Sequence, residues 1–408
     1  MFAVDCISNR DDRHAQANDE ENGIRLSGWL CCARADLALI TQGPAESDGT
    51  RRIGSRHQFG NESMSHTSSE NLRNQTVAVV GATGAVGREI IACLEKREFP
   101  AAQLTLLASS RSAGQSVSYR GRNVPVQVLD ERSLSEIDIA FFSAGSSISK
   151  KYAPTAGKRT VIIDNSSAFR MDANVPLVVP EINPRAAFQH SGLIANPNCT
   201  AIIAAMVLWP LHSQNRVRRI FASTYQAASG AGAAAMEELR LSTVAYLEDK
   251  SYVPRVLPHP YAFNVFSHND TVDQESGRNG EEIKVSNELR KIMNHPDLLI
   301  GITCVRVPVL RAHTIVMSIE FERPMKPEAA REIISSAPGV RIVDDRARNY
   351  FPMPNDATGR DEVIAGRFRP DYGDPSGKTL SMMVAGDQLL KGAALNAVQV
   401  AELITSSG

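Results

Sequence analysis

The sequence predicts an α/β protein with two domains: one built on a parallel sheet, and a second α+β domain built on a mixed sheet. The chain has 408 residues, a length that suits two domains and an additional segment. From Gln75 onward, short apolar segments rich in β-branched residues alternate with helical segments, which is typical of a parallel sheet with right-handed crossovers. From about Arg218, longer strand segments are separated by loops, which indicates a mixed sheet.

Composition and charge argue against several classes of protein. Lys and Arg total 44 and Asp and Glu total 45, so the formal net charge is -1 and a strongly basic nucleic-acid binder is not the expected class. No segment approaches the roughly 20 uncharged apolar residues that span a bilayer. The six cysteines are scattered and none has C-x-x-C spacing, which predicts no metal site and favours a reducing, cytoplasmic environment.

Residues 1–74 differ from the remainder of the chain. They are rich in Asn, Asp, Arg, Ser, Gln and Glu and show weak periodicity, so we expect a disordered extension. Early acids at Asp5, Asp11 and Asp12 argue against a secretory signal or an organelle transit peptide. Translation that starts at Met64, shortly before the first predicted strand, is an open alternative.

The elements of both domains follow from apolar periodicity. In the first domain we predict strands at Gln75–Val80, 103–109, 137–145 and 160–166, with a helix at 88–99. In the second domain we predict strands at 220–229, 299–310 and 313–322, and the chain closes with an amphipathic helix at 389–404.

A glycine turn connects the first strand to the first helix. Gly81, Gly84 and Gly87 follow the strand directly, in the context that a dinucleotide fingerprint requires. The spacing G-x-x-G-x-x-G is less common than G-x-G-x-x-G, and glycine also serves ordinary turns and caps. We interpret the turn as part of a Rossmann-type dinucleotide-binding domain, with Ser143 to Gly145 at the end of a neighbouring strand under the cofactor.

The end of the second strand predicts which dinucleotide binds. NAD enzymes usually place an acid there to bind the ribose 2′-hydroxyl. This chain instead has Ser109, Ser110, Arg111 and Ser112, and an arginine with hydroxyls suits a 2′-phosphate. We therefore predict NADP, against the alternative of a solvated loop that happens to carry an arginine.

Cys199 follows a polar turn and precedes a strongly apolar segment, residues 200–208, which predicts a buried helix with Pro210 near its end. Asn198 can cap that helix, which places the thiol at the first turn, where partial positive charge favours a thiolate. The alternative is a small buried hydrophobe, which is the interpretation given to Cys93 and Cys304 inside a predicted helix and strand. A thiolate beside a dinucleotide predicts acyl or aldehyde chemistry with hydride transfer.

Seven motifs together resemble the aspartate-semialdehyde dehydrogenase family from about Val77 to the end of the chain. They are GATGAVG, RSAG, DNSSAFR, NPNCT, TYQAASGAG, CVRVPVLRAH and KGAALNAVQVAE, in that order. One departure is Gln388, where the family often has asparagine between Asp and Leu, which makes that amide contact with the nicotinamide less certain.

The resemblance implies a role for each matching residue. The catalytic matches are Cys199 as nucleophile, His313 as acid/base, Gln226 as the residue that orients the substrate, and Asn198 beside them. The substrate matches are Arg306 for the α-carboxylate, Arg170 for phosphate, and the pair Glu281 and Lys284 for the amino group and phosphate. The cofactor matches are Gly81, Thr83, Gly84, Ala85, Val86, Ser109, Arg111, Ser112, Ser143, Gly145, Ser229, Gly230 and Gln388.

The resemblance also implies a reaction and an assembly. We expect NADPH-dependent conversion of L-aspartyl 4-phosphate to L-aspartate 4-semialdehyde, with a small-molecule substrate and phosphate and with neither nucleic acid nor membrane as a partner. The expected domains are 75–198 with 378–408 for NADP and 199–377 for catalysis and oligomerisation, in a homodimer or homotetramer. Two alternatives are N-acetylglutamyl phosphate reductase, which the acidic Glu281 disfavours, and a catalytically silent homologue.

Overall fold

Two seven-stranded sheets organise residues 75–406, which are the residues that this computed structural model describes. The predictions for residues 1–74, including the alternative start at Met64, lie outside the described residues. No helix in the described part of the chain is long and apolar enough to cross a membrane.

The first sheet has the strand order β3-β4-β2-β1-β5-β6-β7. Its strands are β1 (Gln75–Val80), β2 (Ala101–Ala108), β3 (Ser116–Tyr119), β4 (Arg122–Val128), β5 (Ile139–Phe142), β6 (Val161–Asp164) and β7 (Leu193–Ala195). All neighbouring pairs are parallel except the β3–β4 hairpin. The chain builds outward from β1 on both sides, so the carboxyl ends of β1 and β5 flank the point where the strand order reverses, which is where open α/β sheets bind ligands.

Three helices cover the first sheet or its edges. They are α1 (Ala85–Lys96), α2 (Ser146–Tyr152) and, from the end of the chain, α8 (Leu395–Ser406). A π-helical turn, Leu390–Ala394, leads into α8, and both pack against α1 within the apolar core of this sheet.

The second sheet is mixed and has the strand order β12-β13-β14-β11-β8-β10-β9. Its strands are β8 (Val217–Gln226), β9 (Phe266–Ser267), β10 (Leu299–Arg306), β11 (His313–Phe321), β12 (Val340–Ile342), β13 (Val363–Pro370) and β14 (Thr379–Gly386). The accompanying helices are α3 (Cys199–Gln214), α4 (Ala233–Leu247), α5 (Gly280–Ile292), α6 (Pro327–Ser335) and α7 (Pro354–Ala357). Apolar residues of α3, α5 and α6 form one core with one face of the sheet.

The α/β class and the mixed second sheet are confirmed, but three details differ from the predictions. Helix α1 begins at Ala85, within the glycine turn, three residues earlier than predicted. The β3–β4 hairpin was not predicted because its strands are short, largely exposed and polar. Helix α3 continues past Pro210 to Gln214, because it is buried on nearly every side and tertiary packing outweighs the missing backbone donor.

Candidate active site

A cleft of about 490 Å³ is lined by residues that follow strands of both sheets. Twelve of the predicted site residues line it: Cys199, His313, Gln226, Asn198, Arg170, Glu281, Lys284, Arg306, Val86, Ser229, Gly230 and Gln388. The other predicted cofactor residues lie at the carboxyl ends of β1, β2 and β5, outside the cleft lining: Gly81, Thr83, Gly84, Ala85, Ser109, Arg111, Ser112, Ser143 and Gly145.

Cys199 is the first residue of α3, as predicted, and its side chain is partly exposed to the cleft. The Asn198 side-chain oxygen caps the helix by accepting hydrogen bonds from the backbone N–H groups of Thr200 (2.9 Å) and Ala201 (3.1 Å). Gly392 of the π-helical turn packs against the cysteine so closely that a Cβ at that position would lie 2.9 Å from the Cys199 Cβ. The cap and the close approach of Gly392 therefore hold Cys199 from two sides.

The expected lowering of the Cys199 pKa is not found. Burial, reinforced by the Glu281 carboxylate, raises the pKa of Cys199 to about 11, and Arg170 and Arg306 oppose this only in part. Helix position alone did not reveal the nearby carboxylate, which belongs to α5 and is distant in sequence. The cysteine is thus a protonated thiol at neutral pH in this arrangement.

His313 lies at the start of β11 and is fully buried. Its Nδ1 accepts a hydrogen bond from the backbone N–H of Ala227 (3.0 Å), while its Nε2 has no protein partner. Burial, reinforced by Arg306, lowers the pKa of His313 to about 3, so the ring is neutral. A neutral imidazole that accepts at Nδ1 carries its proton on Nε2, which makes Nε2 a hydrogen-bond donor available to a ligand.

Gln226 at the end of β8 is held by three protein contacts. Its Nε2 donates to Thr200 Oγ1 (3.1 Å) and to Glu281 Oε1 (3.0 Å), and its Oε1 accepts from Thr224 Oγ1 (3.1 Å). The amide is therefore locked in one orientation, with both N–H groups directed at protein acceptors.

Glu281 is the central acceptor of this part of the cleft. Its Oε1 also accepts from Asn198 Nδ2 (3.0 Å), and its Oε2 lies 3.1 Å from the Lys284 Nζ one turn later on α5. Burial alone would raise its pKa, but His268, Lys284 and the two amide donors lower it to about 2. Glu281 is consequently an anion whose charge is already partly compensated.

Two buried arginines, Arg170 and Arg306, line the cleft. Arg306 Nε donates to Asn269 Oδ1 (3.0 Å) and its Nη1 donates to the Ala227 carbonyl (2.9 Å). The backbone approaches closely here, since a Cβ on Gly230 would lie 2.9 Å from Arg306 Nη1. Each guanidinium carries five N–H donors, so Arg306 retains donors for an anionic ligand.

Lys284 bridges Glu281 and Asp270, which lies 2.8 Å from its Nζ. His268, Asp270 and Glu281 also bring ligand atoms close enough together to hold a metal ion. The Lys284 ammonium contacts both carboxylates of this group and supplies the positive charge that a metal ion would otherwise provide.

The glycine turn has the geometry of a phosphate cradle. Gly81 has φ +86°, which favours glycine, and a Cβ on Gly87 would lie 2.2 Å from the Gly81 carbonyl oxygen. No side chain caps the amino terminus of α1 and no acid occurs in its first turn, which leaves N–H groups available for an anion. Val86 of this helix lines the cleft, so the turn is continuous with the residues around Cys199.

The remaining cofactor candidates fall into three groups. Beside the turn, Thr83 Oγ1 donates to Ser112 Oγ (3.2 Å), while Ser109 and Arg111 are exposed. In the cleft, Gln388 Nε2 contacts Ser229 Oγ and Gln388 Oε1 accepts from the Ala312 N–H (2.8 Å). The Gln388 amide therefore fixes the Ser229 loop. Next to β5, Ser143 Oγ donates to the Val80 carbonyl (2.9 Å) and Gly145 has φ +92°.

Several cleft residues were not predicted. They are Asn165, Asn196, His268, Asn269 and Asp270, and Glu288 lies immediately behind the lining. Asn196 is the first residue of the NPNCT motif and Asn165 lies in the DNSSAFR motif, so both could have been noticed there. The others carry no local signal, because their roles arise only when distant segments meet.

Comparison with known proteins agrees with this geometry. Residues 76–190 match the model of the semialdehyde dehydrogenase NAD-binding domain, and residues 208–391 match the semialdehyde dehydrogenase dimerisation domain. An aspartate-semialdehyde dehydrogenase of Synechocystis sp. is 50% identical over 333 residues, which cover 81% of this chain and 98% of the relative.

The chain belongs to the aspartate-semialdehyde dehydrogenase family. The Aquifex aeolicus member is 47% identical over 338 residues, covering 81% of this chain and 98% of the relative. A crystal structure of aspartate-semialdehyde dehydrogenase II from Vibrio cholerae, complexed with ASA, superposes with a TM-score of 0.78. It is 38% identical and covers 81% of this chain and 98% of its own. The chain is thus an oxidoreductase with a nicotinamide dinucleotide-binding domain and a domain through which the family dimerises, and the N-acetylglutamyl phosphate reductase alternative is not favoured.

Proposed function

We propose that this chain reduces L-aspartyl 4-phosphate to L-aspartate 4-semialdehyde with NADPH, in the biosynthesis of lysine, threonine and methionine. The observation that carries the proposal is the single cleft that unites Cys199, His313, Gln226 and two buried arginines and is continuous with the glycine turn through Val86. A second cleft of about 480 Å³ is lined by neither a cysteine nor a cationic side chain.

Cys199 is the proposed nucleophile. Its sulfur forms a thioester with the acyl carbon while the bond from that carbon to the phosphate oxygen breaks. The thiol proton leaves with the phosphate, so the products of this step are the acyl-enzyme and hydrogen phosphate. Arg170 and Lys284 are the proposed phosphate contacts, because both are cations that line the cleft beside Cys199.

Arg306 is proposed to position the substrate, and His313 is proposed to stabilise the charge that develops on the reacting oxygen. When bound, the nicotinamide would supply a hydride to the thioester carbon. The bond from that carbon to the Cys199 sulfur then breaks, the semialdehyde leaves, and the sulfur takes up one proton from solvent to regenerate the thiol. The His313 Nε2–H, which has no protein partner, is placed to donate to the oxygen that becomes negative. Arg306 keeps free donors for the α-carboxylate, and the Glu281 anion with Asp270 suits the free ammonium group of the substrate.

NADP is the proposed dinucleotide, bound along the glycine turn with its nicotinamide towards Ser229 and Gln388. Arg111 and Ser109 are exposed at the end of β2, and Ser112 lies beside Thr83. The region from 108 to 115 has no carboxylate that would repel a 2′-phosphate. We further propose a cytoplasmic location, consistent with the free thiols Cys93, Cys199 and Cys304, and a homodimer or homotetramer formed through the second domain.

A phosphate-dependent oxidation assay tests this function. We expect purified protein to oxidise L-aspartate 4-semialdehyde in the presence of inorganic phosphate, faster with NADP than with NAD. N-acetylglutamate 5-semialdehyde, whose amine is acylated, serves as the matched competitor and should react poorly. Equal or faster turnover of the acylated substrate, or turnover that does not require phosphate, would contradict the proposal.

A further inference from the structure

Helix α5 directs two carboxylates at the turn that carries the nucleophile. Glu281 and Glu288 are seven residues apart, close to two helical turns, and therefore lie on the same side of the helix. Glu281 lines the cleft, whereas Glu288 lies behind it and is only 1% exposed. The mechanism derived above does not use Glu288.

Glu288 contacts two functional groups at once. Its Oε2 accepts a hydrogen bond from the backbone N–H of Asn198 (2.5 Å), the residue that precedes Cys199 and caps α3. Its Oε1 accepts from Arg170 Nη1 (3.1 Å). One carboxylate thus links the nucleophile turn to the arginine proposed to hold phosphate.

The other contacts of Arg170 fix its orientation. Its Nε donates to the Asn196 carbonyl (2.9 Å) and its Nη2 donates to the Asn165 carbonyl (2.7 Å). Three of its five N–H donors are therefore held by protein, and the remaining donors serve the cleft. Glu288 supplies the only charged partner of this buried cation among the described residues.

We propose that Glu288 is a positioning residue that sets the distance and angle between the Arg170 guanidinium and Cys199. The inference rests on the proposed phosphate-binding role of Arg170. Glu288 does not contact the substrate. It acts by holding the Arg170 guanidinium, the proposed phosphate contact, at a fixed position relative to the carbon that the Cys199 sulfur attacks.

Glu288→Gln tests the inference with little change in volume. The amide offers one acceptor and one NH₂ group, so either Asn198 N–H or Arg170 faces a donor in place of an acceptor. We expect the KM for phosphate in semialdehyde oxidation to rise about tenfold or more, while the KM for semialdehyde changes less than twofold. Glu288→Asp, which keeps both acceptors, should recover part of the phosphate affinity.

Glu282→Gln is the matched control. Glu282 is a buried acceptor on the same helix, but it binds the backbone N–H groups of Asn279 and Cys304 and has no contact with Arg170. This variant should have a lower melting temperature, but the ratio of its KM for phosphate to its KM for semialdehyde should match that of the wild type. If Glu288→Gln raises both KM values together, or neither, Glu288 has only a structural role and the inference is wrong.

A thermal-shift titration with inorganic phosphate separates this inference from the proposed reaction, because it requires no turnover. Phosphate should stabilise the wild type, and Glu288→Gln should need about tenfold more phosphate for the same shift. That result supports the inference even if the semialdehyde assay fails. Equal stabilisation of both proteins, or of neither, would overturn it.

Discussion

At the scale of single residues, the reactivity of Cys199 depends on opposing charges that converge on its sulfur. Arg170 and Arg306 favour the thiolate, whereas burial and the Glu281 carboxylate favour the thiol and raise the pKa to about 11. The same carboxylate orients Gln226 and Asn198 through hydrogen bonds. The described groups around Cys199 therefore favour its protonated thiol.

Glu281→Gln should lower the pKa of Cys199, because the substitution removes a negative charge that disfavours the thiolate. We expect alkylation of Cys199 by iodoacetamide at neutral pH to become about tenfold faster, which corresponds to one pKa unit. Mass spectrometry of the peptide that contains Cys199 distinguishes it from other thiols, and Glu282→Gln serves as the control. An unchanged or slower rate would show that Glu281 does not govern the thiol.

At the scale of elements, the close packing of the first turn of α1 against the glycine turn depends on Gly87. Gly87→Ala would place a Cβ 2.2 Å from the Gly81 carbonyl oxygen, which forces the helix away from the turn. We expect a loss of about 1–3 kcal/mol in the free energy of unfolding, as for other overpacked sites, together with weaker binding of NADPH.

Gly84→Ala provides the comparison for this prediction. Its Cβ would lie 3.3 Å from the same oxygen, a contact that a small shift relieves. Urea unfolding and fluorescence titration with NADPH measure both effects. If both variants lose the same free energy of unfolding and the same affinity for NADPH, the close approach of Gly87 to Gly81 does not determine the geometry of the glycine turn.

Element prediction from sequence succeeds where apolar periodicity is strong. It predicts β1 with its observed bounds, because the strand is a continuous run of β-branched and small apolar residues in the centre of the sheet. It misses the edge strand β3 and its neighbour β4, because short strands with largely exposed polar residues resemble loops. It ends α3 too early, because the sequence does not reveal the surrounding core that holds the helix together beyond Pro210.

The candidate site could be predicted only in part, because contacts between residues that are distant in sequence leave no local signal. Cys199 and the glycine turn carry local signals, and the remaining site residues were assigned through motif resemblance. Glu288 carries no such signal, because its function depends on Asn198, 90 residues away in sequence, and on Arg170, 118 residues away. The predicted lowering of the Cys199 pKa is wrong for a similar reason, since burial of the thiol, reinforced by the Glu281 carboxylate on another helix, raises that pKa.

At the scale of the whole molecule, one face of the second sheet is largely exposed over β8 and β10 in the described part of the chain, whereas α7 packs on that face at β13 and β14. Residues at alternate positions of β8 and β10 project from that face, including Phe221 and Tyr225, and Leu299 is also about half exposed. The opposite face is buried beneath α3, α5 and α6. An apolar sheet face of this kind favours a protein partner, and the match to a dimerisation domain over 208–391 favours a second copy of the chain.

Phe221→Asp should therefore weaken self-association. A carboxylate in the centre of an apolar contact loses its hydration without a partner, which is strongly unfavourable. Sedimentation velocity should show an oligomer for the wild type and the mass of a single chain for the variant at micromolar concentration. Tyr372→Asp is the control, because Tyr372 is highly exposed in the loop between β13 and β14 and lies outside this face. If Phe221→Asp sediments like the wild type, the contact lies elsewhere on the second domain, and the bare face of β8 and β10 is not the surface that joins the subunits.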